Sequence, residues 1–213
     1  MKLYYFPISA YSQKALMAFY EKEVEFEPQL VNMFDDGERT KYREIYPLGK
    51  VPCMFLDDGW MIPESSIIIE YLDTHFDSGP RLIPEDKNTG RQVRFLDRIS
   101  DLYLNDAVVS LLFQSWKPEA ERDTALIERS AFRANVMYDY FEHLLAEREW
   151  LGGEFSMADC AAAPALLYAQ QSHPFTKHKN ISAYWERLSN RPSWQKVMQE
   201  AGPHLEELQA ANG

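Results

Sequence analysis

"PLGKVPCMFLDDGWMIPESSIIIEYLD", residues 47–73, holds a Val-Pro pair, two apolar runs around Asp57-Asp58-Gly59, and a Glu-Ser-Ser lead into an apolar segment. The Asp-Gly turn between two apolar runs predicts a β-hairpin, and "SSIIIEYLDTHF" after it predicts a helix. Upstream, "KLYYF" (2–6) reads as a strand, "SQKALMAFYEKE" (12–23) as a helix with apolar residues at helical spacing, and "VEFEPQLV" (24–31) as a second strand. A βαβ order of this kind builds a parallel strand pair with the helix on one face. The intervening "NMFDDGERTKYREIYP" (32–47) is polar and reads as irregular. The first third is therefore expected to form one small mixed sheet flanked by helices.

"DSGPRLIPEDKN" (77–88), with two prolines, a glycine and mixed charge, reads as a linker. The expected organisation is a domain over 1–78, a linker over 79–88 and an all-helical domain over 89–213. Helices are expected at 89–116, 120–147, 157–171, 181–190 and 192–200. In "FSMADC", Ser156 and Asp159 have the spacing of a capping box, and Phe155 can staple onto Cys160. Its role there is structural.

The chain has 213 residues, 46% of them hydrophobic, and a net charge of −11. Such acidity disfavours a nucleic-acid partner or an anionic membrane, each of which wants a basic face. Cys53 and Cys160 stand far apart with no Cys-x-x-Cys pattern, which disfavours structural zinc and disulfides and fits a reducing cytoplasm. No metal is expected. "MKLYYFPISAY" lacks a signal-peptide core, and no stretch is long enough to span a bilayer, so neither secretion nor membrane insertion is expected.

The segment before the hairpin sits at the strand ends, where ligands of open sheets bind. A cis Val51-Pro52 bond there would turn the Val51 backbone outward, free to pair with an extended peptide. Ser65 is expected as N-cap of the next helix, whose free amides favour a carboxylate, while Glu64 favours an ammonium. Side by side, those demands describe the head group of an amino acid. The plainer alternative is that Ser65 only caps its helix.

The "GKVP", the "ES" before "IIIEYLD" and the "FSMAD" box together resemble the glutathione S-transferases, over nearly the whole chain. The resemblance implies a thioredoxin-like α/β amino-terminal domain, an all-helical second domain and a homodimer. It implies glutathione as co-substrate, with Val51 pairing the cysteinyl part, Pro52 in cis, Glu64 and Ser65 holding the γ-glutamyl end, and Lys50 facing the glycine carboxylate. The helix "ESSIIIEYLD" is similar to that of the tau class. Arg39 and Lys41 are weaker candidates for the glycine carboxylate and read better as solvated surface.

Chemistry on glutathione needs its thiolate, and a hydroxyl donor beside helix-start amides stabilises one electrostatically. "SAYS" (9–12) has the spacing of a redox Cys-x-x-Cys with serine at both ends, so dithiol chemistry is absent. Ser9 matches the serine of the tau and zeta classes and is the favoured donor, although Ala15 and Glu23 depart from the helix pattern of those classes. Tyr5 is the rival, resembling the tyrosine of the pi class, and Ser12 is third, its simplest role being a helix cap. Tyr11, Tyr103, Phe113, Trp116 and Tyr168 are candidates for an apolar electrophile pocket, though aromatics at helical spacing are more often core. The expected activity is transfer of the thiolate to a small electrophile. The alternatives are a zeta-like isomerase or dehalogenase, and a non-catalytic assembly module.

Overall fold

The computed structural model describes residues 1–212, apart from the side chains at 209, 211 and 212. They form two compact units, one of residues 1–81 with 196–211 and one of residues 82–195. In the first, β1 (Lys2–Tyr5), α1 (Ala10–Glu21) and β2 (Glu27–Leu30) make the βαβ unit, followed by α2 (Asp36–Ile45), β3 (Cys53–Phe55), β4 (Met61–Pro63) and α3 (Ser65–His75). Strand order is β2-β1-β3-β4, with β1 parallel to β2 and antiparallel to β3. Pro28 and Pro63 both fall on edge strands, where a missing N–H costs least.

Register sorts the side chains onto two faces. Leu3 opposes Met54, which opposes Ile62, and all three are buried in one row. Tyr4, Cys53, Phe55 and Met61 fall on the opposite face by alternation and pack in a cluster with Tyr42 of α2 and with Tyr46. The Tyr4 and Tyr42 rings stack at 5.5 Å.

α2 corrects the expectation of an irregular segment. Asp35 caps it by accepting from the Glu38 N–H at 2.8 Å, and acidic residues in its first turn with Arg43 in its last complement the helix dipole. Tyr42 is its one buried residue, too small an apolar stripe for periodicity to detect.

In the second unit a continuous helical stretch runs through α4 (Lys87–Ile99), a π-helical segment (Ser100–Asn105) and α5 (Asp106–Ser115). Then come α6 (Thr124–Leu144), α7 (Met157–Ser172) and α8 (Lys179–Ser189). α7 is buried on nearly every side and alanine-rich, which lets neighbouring helices approach closely. The Asp159 carboxylate accepts from the N–H and Oγ of Ser156 (2.8 and 3.0 Å), the Leu151 N–H (3.0 Å) and the Tyr184 hydroxyl (2.7 Å). The capping box thus also ties in the preceding loop and α8.

α9 (Pro192–Asn212) outruns the expected end at 200. Gly202-Pro203 signals a helix stop, because proline removes a donor and crowds the preceding turn. The helix continues because Ala201, Leu205 and Leu208 pack into the cluster of Phe6, Ile8 and Val31. From Lys196 on, α9 belongs to the first unit, unlike the single domain expected over 89–213. The expected 79–88 linker is held at its start: Gly79, at φ +67°, leaves room for no side chain against the Glu21 carbonyl.

Removing the Asp159 carboxylate would strand four donors inside the second unit. Asp159→Ala is expected to lower unfolding free energy by about 3 kcal/mol or more, read as a lower urea midpoint at unchanged slope. Glu200 of α9 accepts from the Tyr5 hydroxyl at 2.6 Å, and burial pushes its carboxyl above the usual range against the pull of that bond. Its contribution to stability is present below the ordinary glutamate pKa and lost as pH rises through the raised value. Glu200→Gln is therefore expected to gain on the parent in melting temperature as pH rises above the ordinary glutamate pKa of about 4.3. A pH-independent difference would contradict this.

Candidate functional site

The junction of β1 and α1 carries the three hydroxyls singled out from sequence. Ser9 is the N-cap of α1, half-buried, and its side chain makes no capping hydrogen bond. Its N–H donates to the Phe6 carbonyl at 2.8 Å and its carbonyl accepts from the Gln13 N–H at 2.9 Å, so its backbone is fixed. Ser12 lies inside α1, not at its cap, and its buried Oγ accepts from the Phe6 N–H at 3.2 Å. Gln13 Nε2 donates to the Pro7 carbonyl at 3.0 Å. Two buried side chains of α1 thus satisfy the loop's backbone and leave Ser9 Oγ for another partner.

Tyr5 is buried on the Leu3 side of β1 and donates a hydrogen bond from its hydroxyl to Glu200. Burial first, and then the Glu200 carboxylate, push its phenol well above the ordinary range. That hydroxyl is committed to α9.

The second part of the site is the approach to β3. The Val51–Pro52 peptide bond is cis. Tyr42 donates its hydroxyl to the Lys50 carbonyl at 2.9 Å, and the Gly49 N–H reaches the Tyr46 carbonyl at 2.8 Å, so α2 and Tyr46 hold this turn. The Lys50 side chain is exposed and Val51 is nearly buried.

The third part is the start of α3, where the structure shifts the expected cap by one residue. Glu64, not Ser65, is the N-cap, and Ser65 is the first helical residue, buried to 4% exposure. Glu64 is exposed at φ +71°, in the left-handed region that favours glycine, and its side chain does not cap the helix. The first amides of α3 therefore receive no cap from Glu64 and can take an anion. Lys14 of α1 donates to Ser66 Oγ at 2.7 Å, tying the two helix starts together.

Cys53, next to the turn, is fully buried, and burial, with a smaller push from Glu64, raises its thiol to about 12 against the pull of Tyr42. It is no nucleophile at neutral pH. Of the aromatic candidates, Tyr11 is half-buried on α1, Tyr168 is packed inside α7, and Tyr103 and Phe113 are exposed on the second unit, the latter edge-to-face with Trp116 at 5.1 Å. Among the described residues, no group of three or more His, Cys, Asp and Glu side chains is placed to hold a metal, and no helix is long and apolar enough to cross a membrane.

Sequence reasoning missed two sets of residues. Tyr42 and Gln13 position the two loops, and an aromatic residue amid the charged stretch from Asp35 to Glu44 was the available signal for Tyr42. Phe34, His204 and Leu208, with Phe6 and Ile8, line a cavity of about 180 Å³ next to Ser9 in the chain. Two of these lie on the part of α9 that a Gly-Pro stop signal hides.

Residues 3–81 match the model of the glutathione S-transferase N-terminal domain and residues 104–192 that of the C-terminal domain. The chain is 29% identical over 206 residues to glutathione S-transferase F11 of Arabidopsis thaliana, covering 91% of this chain and 94% of that one. It is 30% identical over 211 residues to F6 of the same plant, covering 93% and 99%. A glutathione S-transferase from Methylobacillus flagellatus, solved with glutathione bound, superposes with a TM-score of 0.83 at 27% identity, covering 92% of this chain and 98% of that one. These F-type relatives do not support the tau or zeta likeness drawn from the Ser9 helix and "ESSIIIEYLD". Two matched domains and relatives aligned over nearly their full length place the chain in the glutathione S-transferase family.

Proposed function

We propose that Ser9 holds the thiolate of glutathione in this chain, that Lys50, Val51, Pro52, Glu64 and Ser65 hold the rest of the tripeptide, and that its class is the F type. The reaction is glutathione S-transfer. The relatives' names support it over an isomerase, a dehalogenase or a non-catalytic module. Glutathione is the co-substrate, and the observation that carries the role of Ser9 is its uncapping hydroxyl at the positive end of α1.

In this reading the thiol proton leaves to solvent, and Ser9 Oγ–H donates to the sulfur while the α1 dipole lowers the thiol pKa. The thiolate attacks a small, apolar electrophile, a carbon–sulfur bond forms, and the leaving group departs with the electron pair. The cavity of Phe6, Phe34 and Leu208 offers apolar walls to that electrophile. The γ-glutamyl carboxylate goes to Ser65 and the first amides of α3, its ammonium to Glu64, and the glycine carboxylate to Lys50. Exposed Trp60 and Ile67 of the first unit offer apolar surface for a homodimer, and the cytoplasm is the proposed site of action.

Thiolate absorbance of bound glutathione, followed against pH, tests the assignment. Ser9→Ala is expected to move the thiolate transition up toward that of free glutathione and to cut turnover of an activated aryl halide by about 100-fold. Tyr5→Phe should leave the transition in place. The reverse pattern would transfer the role to Tyr5.

Glu64 offers a second test, because its backbone and side chain predict opposite effects. Glu64→Gly relieves the left-handed backbone and should raise stability by about 1 kcal/mol. It removes the partner of the ammonium and should weaken glutathione by about tenfold or more. Affinity unchanged in a stabilised variant would take Glu64 out of the site.

A further inference from the structure

A second cavity lies within the first unit, apart from the residues proposed to hold glutathione. Its volume is about 620 Å³, within the range of small-molecule sites, and it is bounded by the end of α1, the approach to β2 and the first half of α9. Phe26 organises its aromatic wall: its ring lies 4.7 Å from Phe19, 6.0 Å edge-on to Tyr5 and 6.5 Å from Tyr20. Glu23, Glu25 and Glu200 supply three carboxylates to the lining, and Lys196 is the one basic side chain among the described lining residues.

Two details give this wall a preference. Lys196 Nζ sits 5.5 Å from the centre of the Tyr20 ring, so a cation already rests on an aromatic face at the rim. Glu200 is half-buried, and Tyr5 engages only its Oε2; Oε1 accepts no hydrogen bond from the described residues. A half-buried carboxylate with one unengaged oxygen beside π-faces is matched by a ligand that is flat and positively charged. Such a ligand stacks on Phe26 and Tyr20 and brings its charge to Glu200.

We propose that this cavity binds planar aromatic cations, such as quaternary nitrogen heterocycles, at a site separate from that of glutathione. The ligand's rings replace water on the aromatic wall, its cation pairs with Glu200 under the field of Glu23 and Glu25, and Lys196 opposes it as the local competitor.

The test is calorimetric titration with N-methylacridinium, whose charge is independent of pH, with S-hexylglutathione present at saturation. One cation is expected to bind per chain. Glu200→Gln and Phe26→Ala should each weaken it by about tenfold, and the anion 9-anthracenecarboxylate should bind about tenfold more weakly or worse. Lys196→Met should tighten the cation by about threefold or more, a gain that damaged folding cannot produce. Equal affinity in the parent, Glu200→Gln and Phe26→Ala would overturn the proposal, as would indifference to ligand charge, displacement of the cation by S-hexylglutathione, or no binding at all. Because S-hexylglutathione saturates its own site throughout, failure here leaves the glutathione assignment standing, and loss of the Ser9 role without transfer to Tyr5, which lines this cavity, leaves the cavity untouched.

Discussion

Everything at the β1–α1 junction depends on how α1 satisfies the loop that precedes it. A strand-to-helix turn leaves backbone donors and acceptors that must be paired where water is excluded. Ser12 and Gln13 do this from inside the helix, by a bond to the Phe6 N–H and one to the Pro7 carbonyl. With those groups satisfied, Ser9 can sit at the N-cap without spending its hydroxyl on the helix. A cap that gives up its usual bond sacrifices about 1 kcal/mol of helix stability. The buried face of α1, which runs through Leu16, Met17 and Phe19 against the sheet, compensates for that loss.

The same division of labour separates Ser9 from Tyr5. Both hydroxyls lie near the end of β1, yet strand alternation turns Tyr5 to the Leu3 side, where its hydroxyl donates a hydrogen bond to the carboxylate of Glu200. A phenol desolvated and held beside a carboxylate resists ionisation and is a poor partner for a second anion. Ser9 faces no such competitor and stands at the positive end of a helix. Both differences support the proposal that Ser9, rather than Tyr5, meets the thiolate.

What was legible in the sequence followed the strength of local signals. The Asp-Asp-Gly hairpin, the βαβ order and the Ser156–Asp159 box each rest on turn or cap chemistry within a few residues, and each is present in the structure. α2 was illegible because its stability comes from capping and charge rather than from an apolar stripe. The length of α9 was illegible for the opposite reason: a local stop at Gly202-Pro203 is overruled by the burial of Ala201, Leu205 and Leu208 against Phe6, Ile8 and Val31 near the other end of the sequence. The one-residue shift from Ser65 to Glu64 is a matter of φ alone, which residue type does not announce when a glutamate occupies a glycine's conformation.

The chain's own sulfur explains why the chemistry uses an imported one. Cys53 lies at the start of β3, next to the turn that the proposal gives to glutathione, but alternation sends its side chain into the cluster under Tyr4, Tyr42 and Tyr46. There it is desolvated, beside phenols that themselves resist ionisation, and a thiol raised to about 12 stays protonated across the physiological range. Cys160 is equally buried, in α7. A thioredoxin-like sheet with serine at both ends of its Cys-x-x-Cys position thus keeps its own thiols out of reach. In the proposed arrangement the electropositive start of α1 is left to the thiol of glutathione, and the Ser9 hydroxyl stabilises that thiolate without being able to form a disulfide with it.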